Sequence, residues 1–429
     1  MSWMLIAIGT IGFLRISNEV VVRKRLRGTI RNTLWGAKML ICGIDIGKNK
    51  HEACMIDQEG RQLAKSLRFS NTTSGGESLL GYIAENNAEK DVVVIGMEAT
   101  GHYWLSLYCF LFDAGFQVNV INPIQSDAIR NLFLRKTKND AKDSFLIAET
   151  IRIGRFSKTD LADEDILSMR QLCRHRMDLV DYIADQKRKI IGVLDRVFPE
   201  YQTFFSDTFG KTSTELLSKA VTPEELLAIP TDELCKLLKK NSRGRFGEAK
   251  AEELRNAAQN SFGITIGTAA FTMQLRQLLE MIELLERQLT ELEAEIEQYL
   301  VKLDTPITTC PGVGNVLGAV ILSEIGDISR FPEPKKLVAF VGIDPSVRQS
   351  GEFTGTHNKM SKRGSPHLRR AIWLEATVAA FHDPVLSAFY QKKRAEGKHH
   401  YTAIGAVARK LTFIIYAVLR DNKPYVPNC

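Results

Sequence analysis

Between Leu40 and Ile153, runs of apolar residues follow one another in a fixed order, and no other feature of the 429-residue chain restricts its fold as strongly. Leu40–Ile46 is a continuous apolar run. His51–Asp57 and Arg61–Phe69 alternate apolar with polar residues, and Asp57-Gln-Glu-Gly60 supplies a turn between them. A period of two sends successive side chains to opposite faces of a strand, so the three runs predict three antiparallel strands. Gly75–Asn87 then carries a helical period, Val92–Met97 reads as a buried strand, Trp104–Ala114 as a helix and Gln117–Ile121 as a strand ending at Asn122-Pro123. A helix from about Asp140 to Ile153 closes the unit.

Three meandering strands followed by helix, strand, helix, strand and helix is the order of an α/β domain of the RNase H-like, or RuvC-like, kind. We assign it to residues 39–160. Residues 161–304 are expected to form long coiled-coil helices. Met169, Leu172, Arg176, Leu179, Ile183, Gln186, Ile190, Val193 and Val197 alternate at spacings of three and four. Leu275, Leu278, Ile282, Leu285, Leu289, Leu292, Ile296, Tyr299 and Leu303 repeat the pattern without a polar break. A 3.5-residue repeat keeps one seam facing a partner helix, which is either the other of the two or a helix of a second copy. Two amphipathic helices packed inside a monomer would read almost the same. Between them, residues 201–270 form a polar, helix-rich insert with no assigned function. Residues 305–429 read as a mixed, mainly helical C-terminal domain, with helices at Val316–Ile325 and Pro366–Ala380. The apolar helix Tyr401–Leu419 is expected to complete its core.

The net charge of +7 matters less than its distribution: residues 1–38 carry +6, residues 305–429 carry +8, and residues 39–304 carry −7. Basic ends point to a nucleic-acid partner. Residues 1–38 show no period; they read as an extension arising from a start codon upstream of the true one, or as an arm that touches phosphate. Seven cysteines are scattered singly without a C-x-x-C pair, which argues against zinc and disulfides and for a reducing compartment. Met4–Leu14 is too short to span a bilayer and has no basic residue before it. No membrane partner is expected, and the protein is read as cytoplasmic.

Asp45 ends the first strand in Cys42-Gly-Ile-Asp-Ile-Gly47, and Glu98 ends the fourth in Gly96-Met-Glu-Ala-Thr-Gly101. If those strands are neighbours, both side chains converge at one edge. Asp140 and Asp143 stand three apart, on one face of a helix start. Four carboxylates around one point do not all ionise without a cation, and hard oxygen donors suit Mg²⁺ or Mn²⁺. Singly, each is an ordinary turn or helix-start residue; as a set, with Asp45 and Glu98 each ending an apolar run beside glycine, they favour the metal. Gly43-Ile-Asp-Ile-Gly-Lys48 also resembles the first phosphate loop of sugar kinases and actin-like ATPases, but their second acidic segment and later glycine-rich segment have no counterpart here.

In the C-terminal domain, Pro311-Gly-Val-Gly-Asn-Val-Leu-Gly-Ala319 fits the hairpin of a helix-hairpin-helix-like segment, in which the backbone N–H groups of Gly312 and Gly314 would hold a DNA phosphate. A glycine turn opening a helix for packing alone is the plainer reading. Lys359, Lys362, Arg363, His367, Arg369 and Arg370 fall within twelve residues and read as a phosphate clamp. Ser350, with Arg348 two residues before it and Gly351 after, could attack a phosphate neutralised by arginine. Ser346, Thr354, Ser361 and Ser365 are rival hydroxyls, and Arg348, Arg369 and Arg370 are the candidates for activating the serine.

Taken together, the chain resembles the DEDD-type transposases of the insertion-sequence 110 group over about residues 39–429. Asp45, Glu98, Asp140 and Asp143 match the four acidic positions. Glu98-Ala-Thr-Gly101, Ile121-Asn-Pro123, Pro311-Gly-Val-Gly314, Met360-Ser-Lys-Arg-Gly364 and Leu368-Arg-Arg370 match flanking motifs. The family's nucleophilic serine falls on Ser350. The resemblance implies a recombinase acting on double-stranded DNA, with a Mg²⁺-dependent RuvC-like domain and a phosphoserine intermediate. It also implies an element-encoded guide RNA and homodimers that assemble into tetramers, the serine and carboxylates at one phosphate coming from different protomers. Residues 1–38 and the insert 201–270 have no counterpart in that pattern. A metal-dependent nuclease or junction resolvase that uses water, and a non-catalytic coiled-coil DNA-binding protein, are the alternatives.

Overall fold

The computed structural model describes residues 39–86, 90–99, 101–121, 126, 129, 139–154, 163–346, 349–350, 353–354 and 359–427. The extension 1–38, Thr100, Asn122-Pro123, Arg348, Gly351 and the side chains of Ser350 and Thr354 lie outside the described residues. The chain divides into two compact units, with the boundary between residues 161 and 162.

In the first unit, β1 (Leu40–Asp45), β2 (Lys50–Ile56), β3 (Leu67–Ser70), β4 (Val93–Glu98) and β5 (Gln117–Ile121) form one sheet in the order β3-β2-β1-β4-β5. β2 runs antiparallel to β1 and β3, while β4 is parallel to both β1 and β5. This is the RNase H-like arrangement that the run order predicts. The third strand starts later than its alternation suggests. Arg61 turns back on Asp57 through its backbone N–H at 2.8 Å and its Nε at 2.7 Å. That turn leaves Gln62 with one isolated bridge to Ile56, and regular pairing begins at Leu67.

Alternation gives the sheet two faces. Ile44, Met55, Ile95, Met97 and Val120 pack with Leu79 and Ile83 of α1 (Thr73–Glu85) and with Leu107 and Leu111 of α2 (Trp104–Asp113). The other face, with Ile41, Cys54, Ile56 and Ile121, is covered by Ile147, Ala148 and Ile151 of α3 (Asp140–Ile153). Asn139 starts α3 by accepting the Lys142 N–H on its side chain, and Gly154 stops it at φ +70°.

α3 lies close to the sheet because two side chains are missing. Gly43 and Gly96 are partners in register on β1 and β4. A Cβ on Gly43 would run into the Ser144 carbonyl and the Ala148 nitrogen, and one on Gly96 into the Ile151 side chain. Gly43→Val is therefore expected to cost about 3 kcal/mol, as overpacking against backbone does. Gly81→Ala, with nothing within 4 Å of the added carbon, should be neutral or stabilising, and urea titration of the two variants beside wild type checks both.

In the second unit, α4 (Glu164–Val197) leads to four short helices, α5 (Lys211–Lys219), α6 (Pro223–Ala228), α7 (Thr231–Asn241) and α8 (Glu248–Gln259), and then to α9 (Thr268–Lys302). The seam predicted for α4 and α9 closes within the chain. Arg176–Glu293 at 2.6 Å and Lys187–Glu286 at 3.6 Å make the pair antiparallel. Arg176, a polar break in the heptads, is accommodated by that carboxylate. The insert that reads as polar holds its own core: Leu216, Leu226, Leu234 and Leu254 pack with Ile190, Leu194 and Leu275 of the long helices.

The C-terminal part comprises α10 (Asn315–Ile325), α11 (Pro334–Val341), β6 (Gln349–Ser350), β7 (Phe353–Thr354), α12 (Pro366–His382), α13 (Pro384–Ala395) and α14 (His400–Asp421). Its core joins Ile321, Leu337, Leu368, Ile372, Ile404 and Leu411 to Met169, Cys173, Ile296 and Leu300 from the ends of α4 and α9. Among the described residues, α14 alone is long and apolar enough to cross a membrane by length and composition. Half of its most apolar window is buried in this core, as expected for a core helix.

Candidate active site

Ile44 of β1 pairs with Met97 of β4, so Asp45 and Glu98 end parallel neighbouring strands side by side. Asp45 lies two residues after Gly43 and Glu98 two after Gly96, so both belong to the face that α3 covers. α3 begins there, with Asp140 and Asp143 in its first turn. Asp143 is buried, Asp45 and Glu98 are half-buried, and Asp140 is exposed. Burial first, and then the charges of Asp143, Asp140 and Glu98, push Asp45 up to about 6. Asp143, Asp140 and Glu98 are thus all within electrostatic reach of Asp45.

Two members of this set are bonded to residues outside it. The Arg68 Nη2 stands 3.1 Å from the Asp140 Oδ2, and the Ser126 hydroxyl donates to the Glu98 Oε2 at 2.9 Å. With side chains so placed, no three His, Cys, Asp or Glu among the described residues are close enough to hold one ion. The donors nevertheless suit a hard dication. They are carboxylate oxygens gathered at two strand ends and a helix start, and Asp45 is raised by burial first and then by the charge of the other three, charge that a cation would offset.

Two further residues were not singled out in the sequence. Asp45 pairs with Glu52, and Glu52 with Arg68, so Arg68, Glu52, Asp45 and Glu98 form one row across four strands. Glu52 is buried and accepts the Ser66 hydroxyl at 2.6 Å. Its place on the Cys54–Ile56 face is visible in the alternation of the second strand. Its position opposite Asp45 depends on register, which no single strand encodes.

In the second unit, β6 and β7 form a two-stranded hairpin in which Ser350 stands opposite Phe353. The hairpin rises from a closed base. Pro345 bridges Met360, the Ser346 N–H donates to the Lys359 carbonyl at 2.8 Å, and the Ser361 N–H donates to the Asp344 carbonyl at 2.9 Å. Three rival hydroxyls are occupied in the fold. Ser346 donates to the Lys359 carbonyl at 2.9 Å, Ser361 to the Asp344 carboxylate, and Ser365 to the Glu324 Oε2 at 2.8 Å. Ser365 also caps α12 by accepting the Leu368 N–H. Burial alone would raise the Glu324 carboxyl, yet the bonds from Arg174, at 2.6 and 3.1 Å, hold it below its ordinary value.

The six clamp residues are not equivalent. Arg370 makes two 2.7 Å bonds to Asp181 of α4, Arg369 donates to the Val341 carbonyl at 3.2 Å, and the His367 Nδ1 lies 3.4 Å from the Met177 sulfur. These three hold α12 in place, whereas Lys359, Lys362 and Arg363 are exposed. Gly312, at φ +80°, lies where a Cβ would press on the Glu375 carbonyl at 2.7 Å, so the turn serves close packing on α12. Gly314, at the start of α10, is exposed.

A transposase family profile, DEDD_Tnp_IS110, matches residues 42–199, and that of the transposase IS116/IS110/IS902 family matches residues 304–391. The chain is 26% identical to a 44.8 kDa protein of insertion element IS116 from Streptomyces clavuligerus, covering 90% of this chain and 96% of that protein. It is 27% identical to the mini-circle putative transposase for IS117 of Streptomyces coelicolor, covering 86% and 91%. It is 23% identical to the pilin gene-inverting protein of Moraxella bovis, covering 89% and 96%. Among solved structures, T. thermophilus RuvC in complex with a Holliday junction substrate matches with a TM-score of 0.22 at 14% identity, covering 28% of this chain and 99% of that one.

Proposed function

The chain belongs to the IS116/IS110/IS902 family of transposases, and from that membership we propose that it cuts and rejoins double-stranded DNA through a serine-linked intermediate. The observation that carries this reading is the placement of Asp45 and Glu98 at the ends of neighbouring strands, on the face where α3 begins with Asp140 and Asp143, with Asp45 raised by burial and then by the charges of the other three. Those four residues would hold Mg²⁺ or Mn²⁺. A bound dication supplies charge neutralisation at the scissile phosphate.

The Ser350 hydroxyl oxygen forms a bond to phosphorus, one bond from phosphorus to a deoxyribose oxygen breaks, and the serine proton ends on the departing hydroxyl. Rejoining is the reverse step, with the hydroxyl of a different strand attacking the phosphoserine. Ser350 is taken from the family resemblance; Ser346, Ser361 and Ser365 each hold a hydrogen bond within the fold. Exposed Lys359, Lys362 and Arg363, with Arg348, grip the backbone without reading sequence. Sequence choice comes from an element-encoded RNA paired with donor and target DNA, and the working form is a tetramer assembled from two homodimers, in which serine and carboxylates meet from different protomers.

The test is recombination of a plasmid carrying the element's ends in cells expressing the protein, with and without the element's noncoding flank, followed by denaturing extraction of protein-bound DNA. Recombination only with the flank, together with DNA that stays on the denatured protein, is the expected result. Cleavage with no covalent adduct would replace the serine step by attack of water. Undiminished recombination without the flank would remove the guide RNA.

A further inference from the structure

We propose that Arg68 grips the DNA phosphate at the carboxylate site and is held in reserve by Asp140 for as long as that carboxylate lacks a cation. The inference rests on the metal-binding reading above. Arg68 stands in the same cross-strand row as Asp45 and Glu98, at the β3 end of it. Its guanidinium bonds to Asp140, the most exposed of the four carboxylates, at 3.1 Å. The two side chains are 61% and 56% exposed, so the pair is solvated, weak and readily exchanged.

A DNA strand nearing four carboxylates meets repulsion, and a site that must admit it needs cationic groups at its rim. Arg68 is on that rim. Lys50, exposed and two residues before Glu52 on β2, shares its face. A planar guanidinium also matches two phosphate oxygens at once, which an ammonium does not. Asp140, turned toward a cation held with Asp45, would free Arg68 to take a phosphate at the same rim, so that cation loading and DNA grip would be coupled through one ion pair.

The experiment uses the full chain as wild type, Arg68→Gln, Arg68→Lys and Asp45→Asn. It measures Mn²⁺ binding, and binding to a random-sequence duplex at several salt concentrations, with Ca²⁺ and without divalent cations. Arg68→Gln should bind Mn²⁺ about threefold more tightly, as loss of an exposed competing ion pair allows. With Ca²⁺ its duplex affinity should fall about fivefold, and the log–log salt slope should become shallower by about one, the signature of one lost phosphate contact. Arg68→Lys should fall between the two. Without divalent cations, Arg68→Gln and wild type should bind the duplex alike.

Unchanged duplex affinity and slope with Ca²⁺ would overturn the proposal and leave Arg68 a surface ion pair. An equal loss with and without Ca²⁺ would overturn the reserve role. If wild type and Asp45→Asn bind Mn²⁺ alike, the metal reading itself fails, whatever Arg68 does.

Discussion

Asp45→Asn should lower DNA strand cleavage by about a thousandfold, several kcal/mol of lost transition-state stabilisation, while the folded protein gains stability in the absence of metal. The two effects share one cause. Asp45 is partly buried and, to a lesser extent, crowded by the charges of Asp143, Asp140 and Glu98, which raises its carboxyl from 3.8 to about 6. The fold thus favours the protonated form. Its stabilising contribution is complete below about pH 4 and is lost as pH rises through 6. Asparagine carries no charge to expel, so metal-free Asp45→Asn should melt higher than wild type at pH 7.5 and close to it at pH 4. Adding Mg²⁺ should raise the melting temperature of wild type and leave the variant unmoved. A variant that cleaves normally, or a wild type indifferent to Mg²⁺ in both assays, would remove the carboxylates from the chemistry.

Ser350→Ala should abolish the covalent protein–DNA adduct and reduce recombination by about four orders of magnitude or more, the usual scale for deleting a nucleophile. Folding and duplex binding should be unaffected, because the hairpin carrying Ser350 is closed at its base by main-chain bonds between residues 344–346 and 359–361. Ser346→Ala, at that base, loses one bond to a carbonyl and should keep the adduct. The comparison separates a serine that reacts from a serine that supports the turn. An adduct surviving in Ser350→Ala would assign the linkage elsewhere, with Thr354 the first alternative.

Much of the first unit is legible from the sequence, because period and turn chemistry are local. β1, β4, α3 and the positions of Asp45, Glu98, Asp140 and Asp143 all follow from runs a few residues long. What fails is non-local. The Arg68–Glu52–Asp45 row depends on register between three strands, and the late start of β3 on a bond from Arg61 back to Asp57. The basic run near α12 shows its density in the sequence but not its partners. Arg370 is matched to Asp181, 189 residues away, and with Arg369 and His367 it is occupied in the fold. In the insert, charged surfaces dominate the average while single leucines on short helices build a shared core. Ser350 was identified by resemblance, since a serine before a glycine has no chemical mark of its own.

The paired Gly43 and Gly96 bear on how such a gene decays. Every missense change of a glycine adds at least one carbon, and at these positions the space is already filled by α3. A copy can therefore keep all four acidic codons and still be inert. Reading the carboxylates alone would count it as active; the two glycines must be read with them.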